Sequence, residues 1–168
     1  QNKKIKPREL AEKSIHFEQK ILKEVVGSQD QVAAAYGGFN KIIFKTDGGF
    51  NVMPISIGQN TVQKLNKNLL LVYTGLKRTA HHIAKSYVNK LQTSKKSHIL
   101  EISNFVTEGE KIIQRGTIDD FGKLLHESWL EKKSLSSAIT NSSIDYIYNK
   151  ALKKGALGGK LLGAGGGG

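Results

Sequence analysis

Apolar residues recur at helical spacing in the first quarter of the chain, give way to strand-like runs, and return to helical spacing in the second half. Between Arg8 and Val26 the residues Ala11, Ile15, Leu22 and Val25 form one stripe, which predicts a helix opened by Pro7 and closed by Gly27. Glu18 interrupts the chemistry of that stripe. It lies three residues after Ile15 and four before Leu22, and a carboxylate on a burying face needs a partner, a cation or a proton. Gln31 to Tyr36 is short and alanine-rich and is broken by Gly37-Gly38. The runs Phe39 to Lys45 and Phe50 to Ile57 flank Thr46-Asp47-Gly48-Gly49, a hairpin signal. Leu69 to Tyr73 is apolar without interruption, which predicts a central strand covered on both faces, ending at Thr74-Gly75.

Ala80, Ile83, Ala84, Tyr87 and Leu91 then share one helical face. Ile99, Ile102, Phe105 and Ile112 mark a second helix, and Ile118, Phe121, Leu125 and Trp129 a third. Thr117 with Asp120 has the spacing of a capping box. Ile144, Ile147, Tyr148 and Ala151 mark the last helix, stopped by Gly155 after Lys153-Lys154. Leu161-Leu162 reads as the end of a short strand feeding the terminal glycines. The expected class is α+β, an antiparallel sheet with helices packed on one face.

Composition narrows the function classes. A chain of 168 residues with 38% hydrophobic and 24% charged residues fits one globular domain, or one domain plus part of a neighbour. No apolar run approaches the roughly 20 residues that span a bilayer, and no signal-peptide pattern opens the chain, so a cytoplasmic location and no membrane partner are the default expectation. With no cysteine, disulfide frameworks and thiolate metal sites are excluded. The formal charge of +12 raises nucleic-acid binding as a reading. However, the lysines are spread along the whole length. Only Lys3-Lys4-Ile5-Lys6 and Lys153-Lys154 are tight groups, without the alternating aromatics of a base-stacking platform. The expectation is therefore no nucleic acid, and a solvated basic surface that also suits phosphorylated ligands. A start at Gln1 and a stop inside a glycine run point to an internal segment of a longer protein, because a glycine loop makes a costly terminus to order.

Two stretches carry candidate chemistry. In Gly27-Ser28-Gln29-Asp30-Gln31, Asp30 is either an N-cap of the next helix or a carboxylate placed to orient or deprotonate a hydroxyl. Gly163-Ala164-Gly165-Gly166-Gly167-Gly168 is either a flexible tail or an anion-binding concavity of backbone N–H groups. The histidines offer no metal spacing: His81 and His82 are adjacent, and His16, His98 and His126 stand apart. His126, Trp129 and Lys132, within a turn and a half of helix, read as packing and surface residues.

The strings GSQDQVAAAYGGFNKIIF, LLLVYTGLKRTAHHI and ITNSSIDYIYNKALKKGALGGKLLGAGGGG resemble, in that order, the GHMP kinases, and among them the kinases of heptose 7-phosphate. The resemblance implies the end of the GHMP N-terminal domain, a ribosomal protein S5 domain 2-like fold, over residues 1–38. A ferredoxin-like C-terminal domain would fill 39–168. It also implies ATP and magnesium as cofactors and a small sugar phosphate as acceptor. The match to the family's catalytic aspartate is Asp30, and the match to its magnesium-holding glutamate is Glu18. Gly163, Ala164, Gly165, Gly166 and Gly167 match the cofactor-side glycine loop that supports the phosphate-binding loop and borders the acceptor. Gly37, Gly38, Thr74, Gly75 and Arg78 match positions that line the acceptor pocket. The family's main phosphate cradle, a GLGSSSA-type loop, does not occur in the chain and is expected before Gln1, so this polypeptide alone is expected not to turn over. The acceptor implied is the anomeric hydroxyl of a heptose 7-phosphate. A galactokinase- or fucokinase-like kinase and a non-catalytic sugar-phosphate-binding or RNA-binding module are the alternatives.

Overall fold

The first helix, α1, runs over Pro7–His16 with Pro7 in its first turn, where a missing N–H costs nothing. A π-helical turn, Phe17–Ile21, continues it. The i→i−5 bond from Leu22 N to Phe17 O (2.9 Å) closes that turn, and Lys23 at φ +55° ends the helix. The expected helix to Val26 is therefore short by a turn, and Ile21 and Leu22 are exposed rather than buried. The physical reason is the π-turn, which shifts the phase of the stripe and lets a left-handed residue stop the helix before Gly27. Among a computed structural model's residues, those described are 5–77 and 80–168.

Residues 1–56 and 57–168 form two compact units. In the first, α2 (Gln29–Tyr36) packs on α1, and β1 (Asn40–Phe44) pairs antiparallel with β2 (Phe50–Pro54). The register sets Phe44 opposite Phe50 and Ile42 opposite Val52. Strand alternation turns Ile42, Phe50 and Val52 toward Ala11, Ile15, Val32, Ala35 and Tyr36. Tyr36 meets Phe50 edge-on at 6.2 Å, and the Arg8 guanidinium lies 5.2 Å over the Phe50 ring. The turn is the expected one: Gly48 takes φ +85°, and Asp47 Oδ1 accepts from Gly49 N at 2.8 Å. The family boundary expected after residue 38 falls between α2 and β1, within this unit.

The second unit is helical: α3 (Gln59–Asn68), α4 (Ala80–Lys85), α5 (Lys96–Arg115), α6 (Ile118–Lys133) and α7 (Ser142–Lys153). Short 3-10 turns lie at Val88–Lys90 and Ser137–Ile139. Buried Trp129, Leu135, Ile139 and Ile144 form the core, joined by Ile83, Tyr87 and Leu91 from the broken 80–91 stretch. The face read for that stretch is right, while the helix itself is interrupted after Lys85. α5 ends at Gly116, at φ +77° in the left-handed region, whose N–H reaches Ile112 O and Ile113 O. The expected capping box does not form. Thr117 Oγ1 donates to Ile112 O at 3.4 Å, and Asp120 pairs with Lys123 instead.

Two expected strands are absent among the described residues. Leu69 to Tyr73 is irregular, with Leu70 and Leu71 86% and 84% exposed, and Leu161-Leu162 is likewise irregular. A strand needs a neighbouring backbone to bond, and none of the described residues offers a ladder to the 69–73 run. α3, which carries buried Leu65, had no counterpart in the sequence reading.

Glycine lets the segment after α7 lie against α6. A Cβ at Gly158 would clash with the Gly122 carbonyl oxygen and stand 2.7 Å from His126 N; one at Gly122 would stand 2.8 Å from Leu157 Cβ. Gly158→Ala is expected to destabilise the second unit by about 3 kcal/mol, because the obstacle is backbone that cannot give. Urea unfolding followed by Trp129 fluorescence measures this, and a change under 0.5 kcal/mol would contradict the close approach.

Candidate active site

Glu18 sits in the π-turn, half-buried, and its Oε2 accepts from Gln31 Nε2 at 2.8 Å. Its neighbour Gln19 donates through Nε2 to Val26 O (3.0 Å) and Ser28 Oγ (3.1 Å). Two successive side chains of the π-turn thus hold the loop that leads into α2 and the first turn of α2 itself. The carboxylate in the apolar stripe has found its partner in an amide.

Asp30 is exposed in the first turn of α2, where a negative charge is favoured by the helix dipole. The N-cap is Ser28, not Asp30. Asp30 Oδ1 accepts from Gln29 Nε2 at 3.3 Å and from no backbone N–H at the cap, so the capping reading of Asp30 is overturned. The Gln31 bond ties Glu18 to the first turn of α2, the same turn that carries Asp30. Gly37 (φ +60°) and Gly38 (φ +73°) form the turn from α2 to β1, held by Asn40 Nδ2 donating to Gly37 O.

In the second unit the glycine loop is an ordered structure. Gly166 N donates to Ile139 O at 2.8 Å, and Gly168 N to Leu76 O at 3.2 Å. Thr74 N donates to Gly168 O at 2.7 Å, so the Thr74-Gly75 turn and the loop are joined directly. Gly75 takes φ +74°, and Thr74 Oγ1 accepts from Leu76 N. Gly165 is buried at φ +114°, and a Cβ there would stand 2.9 Å from Ile139 Cα. Arg78 lies outside the described residues.

The residues left without a role in sequence now have one. Lys132 Nζ donates to Leu161 O (2.7 Å) and Gly163 O (2.6 Å), gripping the entrance of the loop from α6. One turn earlier on α6, Ser128 Oγ accepts from Lys160 Nζ at 3.2 Å, and burial lowers the Lys160 pKa below the usual lysine value. Asn141 caps α7 by accepting from Ser143 N and Ile144 N, and its Nδ2 reaches Gly166 O at 3.4 Å. His126 stacks on Tyr148 at 6.0 Å, with Nδ1 and the phenol oxygen in hydrogen-bond contact; burial raises the Tyr148 pKa. Trp129 is core, 1% exposed. Spacing could not single out Lys132 or Gln31, because each acts on a segment distant in sequence or through an unmarked amide.

Residues 110–168 match the family model described as GHMP kinases C terminal. Over that stretch the chain is similar to the C-terminal region of the GHMP kinases. A D-glycero-alpha-D-manno-heptose 7-phosphate kinase of Campylobacter jejuni is 30% identical over 161 residues, covering 95% of this chain and 48% of that protein. An L-fucokinase/L-fucose-1-P guanylyltransferase of Bacteroides fragilis is 30% identical, covering 95% of this chain and 17% of that protein. A bifunctional fucokinase/GDP-fucose pyrophosphorylase of Arabidopsis thaliana is 26% identical, covering 88% and 15%. The chain thus spans about half of the heptose kinase and under a fifth of either fucokinase. Among solved structures, a D-glycero-D-manno-heptose 1-phosphate kinase from Bacteriodes thetaiotaomicron superimposes with a TM-score of 0.60 at 25% identity, covering 96% of this chain and 43% of that one.

The grip of Lys132 on the GHMP loop is open to a direct test. Lys132→Met should cost about 1–3 kcal/mol, since the two bonds come from a charged donor. Amide exchange at Gly166 and Gly168 should accelerate more than at Ile112 in α5. Unchanged protection in the loop would show that Lys132 is dispensable there.

Proposed function

We propose that this segment belongs to an ATP-dependent sugar kinase that transfers the γ-phosphoryl group to the anomeric hydroxyl of a heptose 7-phosphate, giving the 1,7-bisphosphate. The observation that carries the reading is the Gln31–Glu18 bond, which ties the half-buried Glu18 to the residue next to Asp30. Support for the acceptor comes from the heptose 7-phosphate kinase that matches 95% of the chain. The two fucokinase matches favour a second acceptor, fucose.

Phosphoryl transfer asks a protein for positioning and charge neutralisation more than for covalent chemistry. Asp30, exposed in the first turn of α2, orients the acceptor hydroxyl and takes its proton. Gly37, Gly38, Thr74, Gly75 and Arg78 are the acceptor-lining positions of this reading, and within residues 163–167 the N–H groups other than that of Gly166 supply backbone dipoles toward phosphate oxygens. The N–H groups of Gly166 and Gly168 are bonded to Ile139 O and Leu76 O, so they hold the loop's shape instead of facing an anion.

The described residues contain no group of three His, Cys, Asp or Glu side chains around one point. A single hard oxygen donor fits magnesium nonetheless, because that ion is commonly held by one or two carboxylates together with waters and nucleotide phosphates. Glu18 fits as that carboxylate: one of its oxygens is engaged by Gln31, and the other remains for a ligand. When bound, the ion neutralises charge on the transferring phosphate. The domain reading, 1–38 from the N-terminal domain and 39–168 from the C-terminal one, belongs to the same proposal. So does the expectation that this polypeptide is inactive by itself. No helix among the described residues is long and apolar enough to cross a membrane.

The test is ADP release by the full-length protein offered heptose 7-phosphate, galactose or fucose. Turnover is expected with the heptose phosphate, falling at least about a hundredfold in Asp30→Asn, the usual lower size of a lost acid–base contribution. Turnover with fucose alone would replace the acceptor, and near-normal Asp30→Asn turnover would remove Asp30 from its role.

A further inference from the structure

Gln31 is left with half of its amide unexplained. A carboxylate offers only acceptors, so the bond to Glu18 dictates that the NH2 end of Gln31 faces Glu18 and that Oε1 faces elsewhere. Oε1 is shielded from solvent and meets no hydrogen-bond donor among the described residues. A buried carbonyl oxygen in that state is uncommon in a native protein and calls for an account. Among the described residues the other orphaned polar atom of this kind is Trp129 Nε1, a donor deep in the core of the second unit. Gln31 differs in place: it is next to Asp30, bonded to Glu18, and only half-buried as a residue.

We propose that Gln31 is a positioning residue of the site, its Oε1 uncovered on binding and accepting a hydrogen bond from an O–H donor of the bound substrate complex while its Nε2 holds Glu18. This rests on the kinase reading above. The donor is either a hydroxyl of the sugar neighbouring the one presented to Asp30 or a water carried by the cation at Glu18. Both offer the same chemistry, a polarised O–H. Because a carbonyl oxygen accepts and never donates, Gln31 would reject a ligand that places an ether or carboxylate oxygen at this point. The residue thus acts at once on the acceptor and, through Nε2, on the orientation of Glu18.

The experiment uses the full-length protein with Gln31→Met, which keeps volume and removes both polar ends, and Gln31→Glu, which keeps an acceptor oxygen and loses the donor toward Glu18. Heptose 7-phosphate binding is measured by calorimetry without ATP or magnesium, beside KM, kcat and the magnesium concentration for half activity. Loss of one hydrogen bond predicts about a tenfold weaker sugar affinity in Gln31→Met at an unchanged unfolding temperature, with a smaller loss in Gln31→Glu, whose acceptor survives but whose charge repels Glu18. That outcome assigns the sugar hydroxyl as donor. A rise of similar size in the magnesium requirement, with unchanged sugar binding, assigns the cation-bound water. Unchanged sugar affinity and magnesium requirement in a folded Gln31→Met overturn the proposal. Equal weakening by both variants, with lowered unfolding temperatures, assigns Gln31 a structural role and overturns it too. Asp30→Asn runs alongside. If it keeps full turnover the kinase reading fails, whereas loss in Asp30→Asn with a silent Gln31→Met leaves that reading standing and removes only Gln31.

Discussion

Backbone groups that no ladder satisfies must be satisfied one at a time, and this constraint shapes both units. Where the chain is irregular, side chains take the role of secondary structure. Gln19 covers Val26 O, Asn40 covers Gly37 O, Lys132 covers Leu161 O and Gly163 O, and Asn141 reaches Gly166 O. Each of these bonds holds a segment that carries a predicted functional residue. The loops that lead to Asp30 and form the glycine turn are thereby ordered without belonging to any helix or sheet.

Glycine complements these bonds by admitting close approach. Gly109 lets α5 lie against Leu124, at 3.3 Å from the position a Cβ would take, and Gly158 lets the 157–160 segment cross α6 at Gly122. That crossing sets Lys160 beside Ser128 and delivers Leu161 and Gly163 to Lys132, one helical turn further along α6. The glycine loop is therefore positioned from outside itself. Its own contribution is conformational, with positive φ at Gly163, Gly165, Gly166 and Gly168.

Two neighbouring side chains of the π-turn act on adjoining segments, Gln19 on Val26 and Ser28 of the loop and Glu18 on Gln31 of α2. In the second unit the same loop glycines that suit an anion also dock onto Ile139 and Leu76, which limits the N–H groups that remain for a ligand.

Local signals were readable wherever one residue decides a local conformation. The hairpin at Asp47-Gly48, the stop at Gly116, and the stripes of α5, α6 and α7 followed from spacing and turn chemistry. The resemblance to the GHMP kinases was likewise legible, through ordered motifs. What the linear pattern could not decide was pairing. Leu69 to Tyr73 has the composition of a buried strand, yet burial of a strand depends on a partner backbone elsewhere, and the run is exposed among the described residues. The phase of α1 past His16 depended on a π-turn that no single residue announces. Lys132 and Gln31 gained their roles only when folding set them against Gly163 and Glu18, 31 and 13 residues away. Residue type and spacing determine which elements can form and what chemistry is present; only the folded contacts decide which polar atoms meet, because a hydrogen bond depends on ångström distances that sequence separation does not encode.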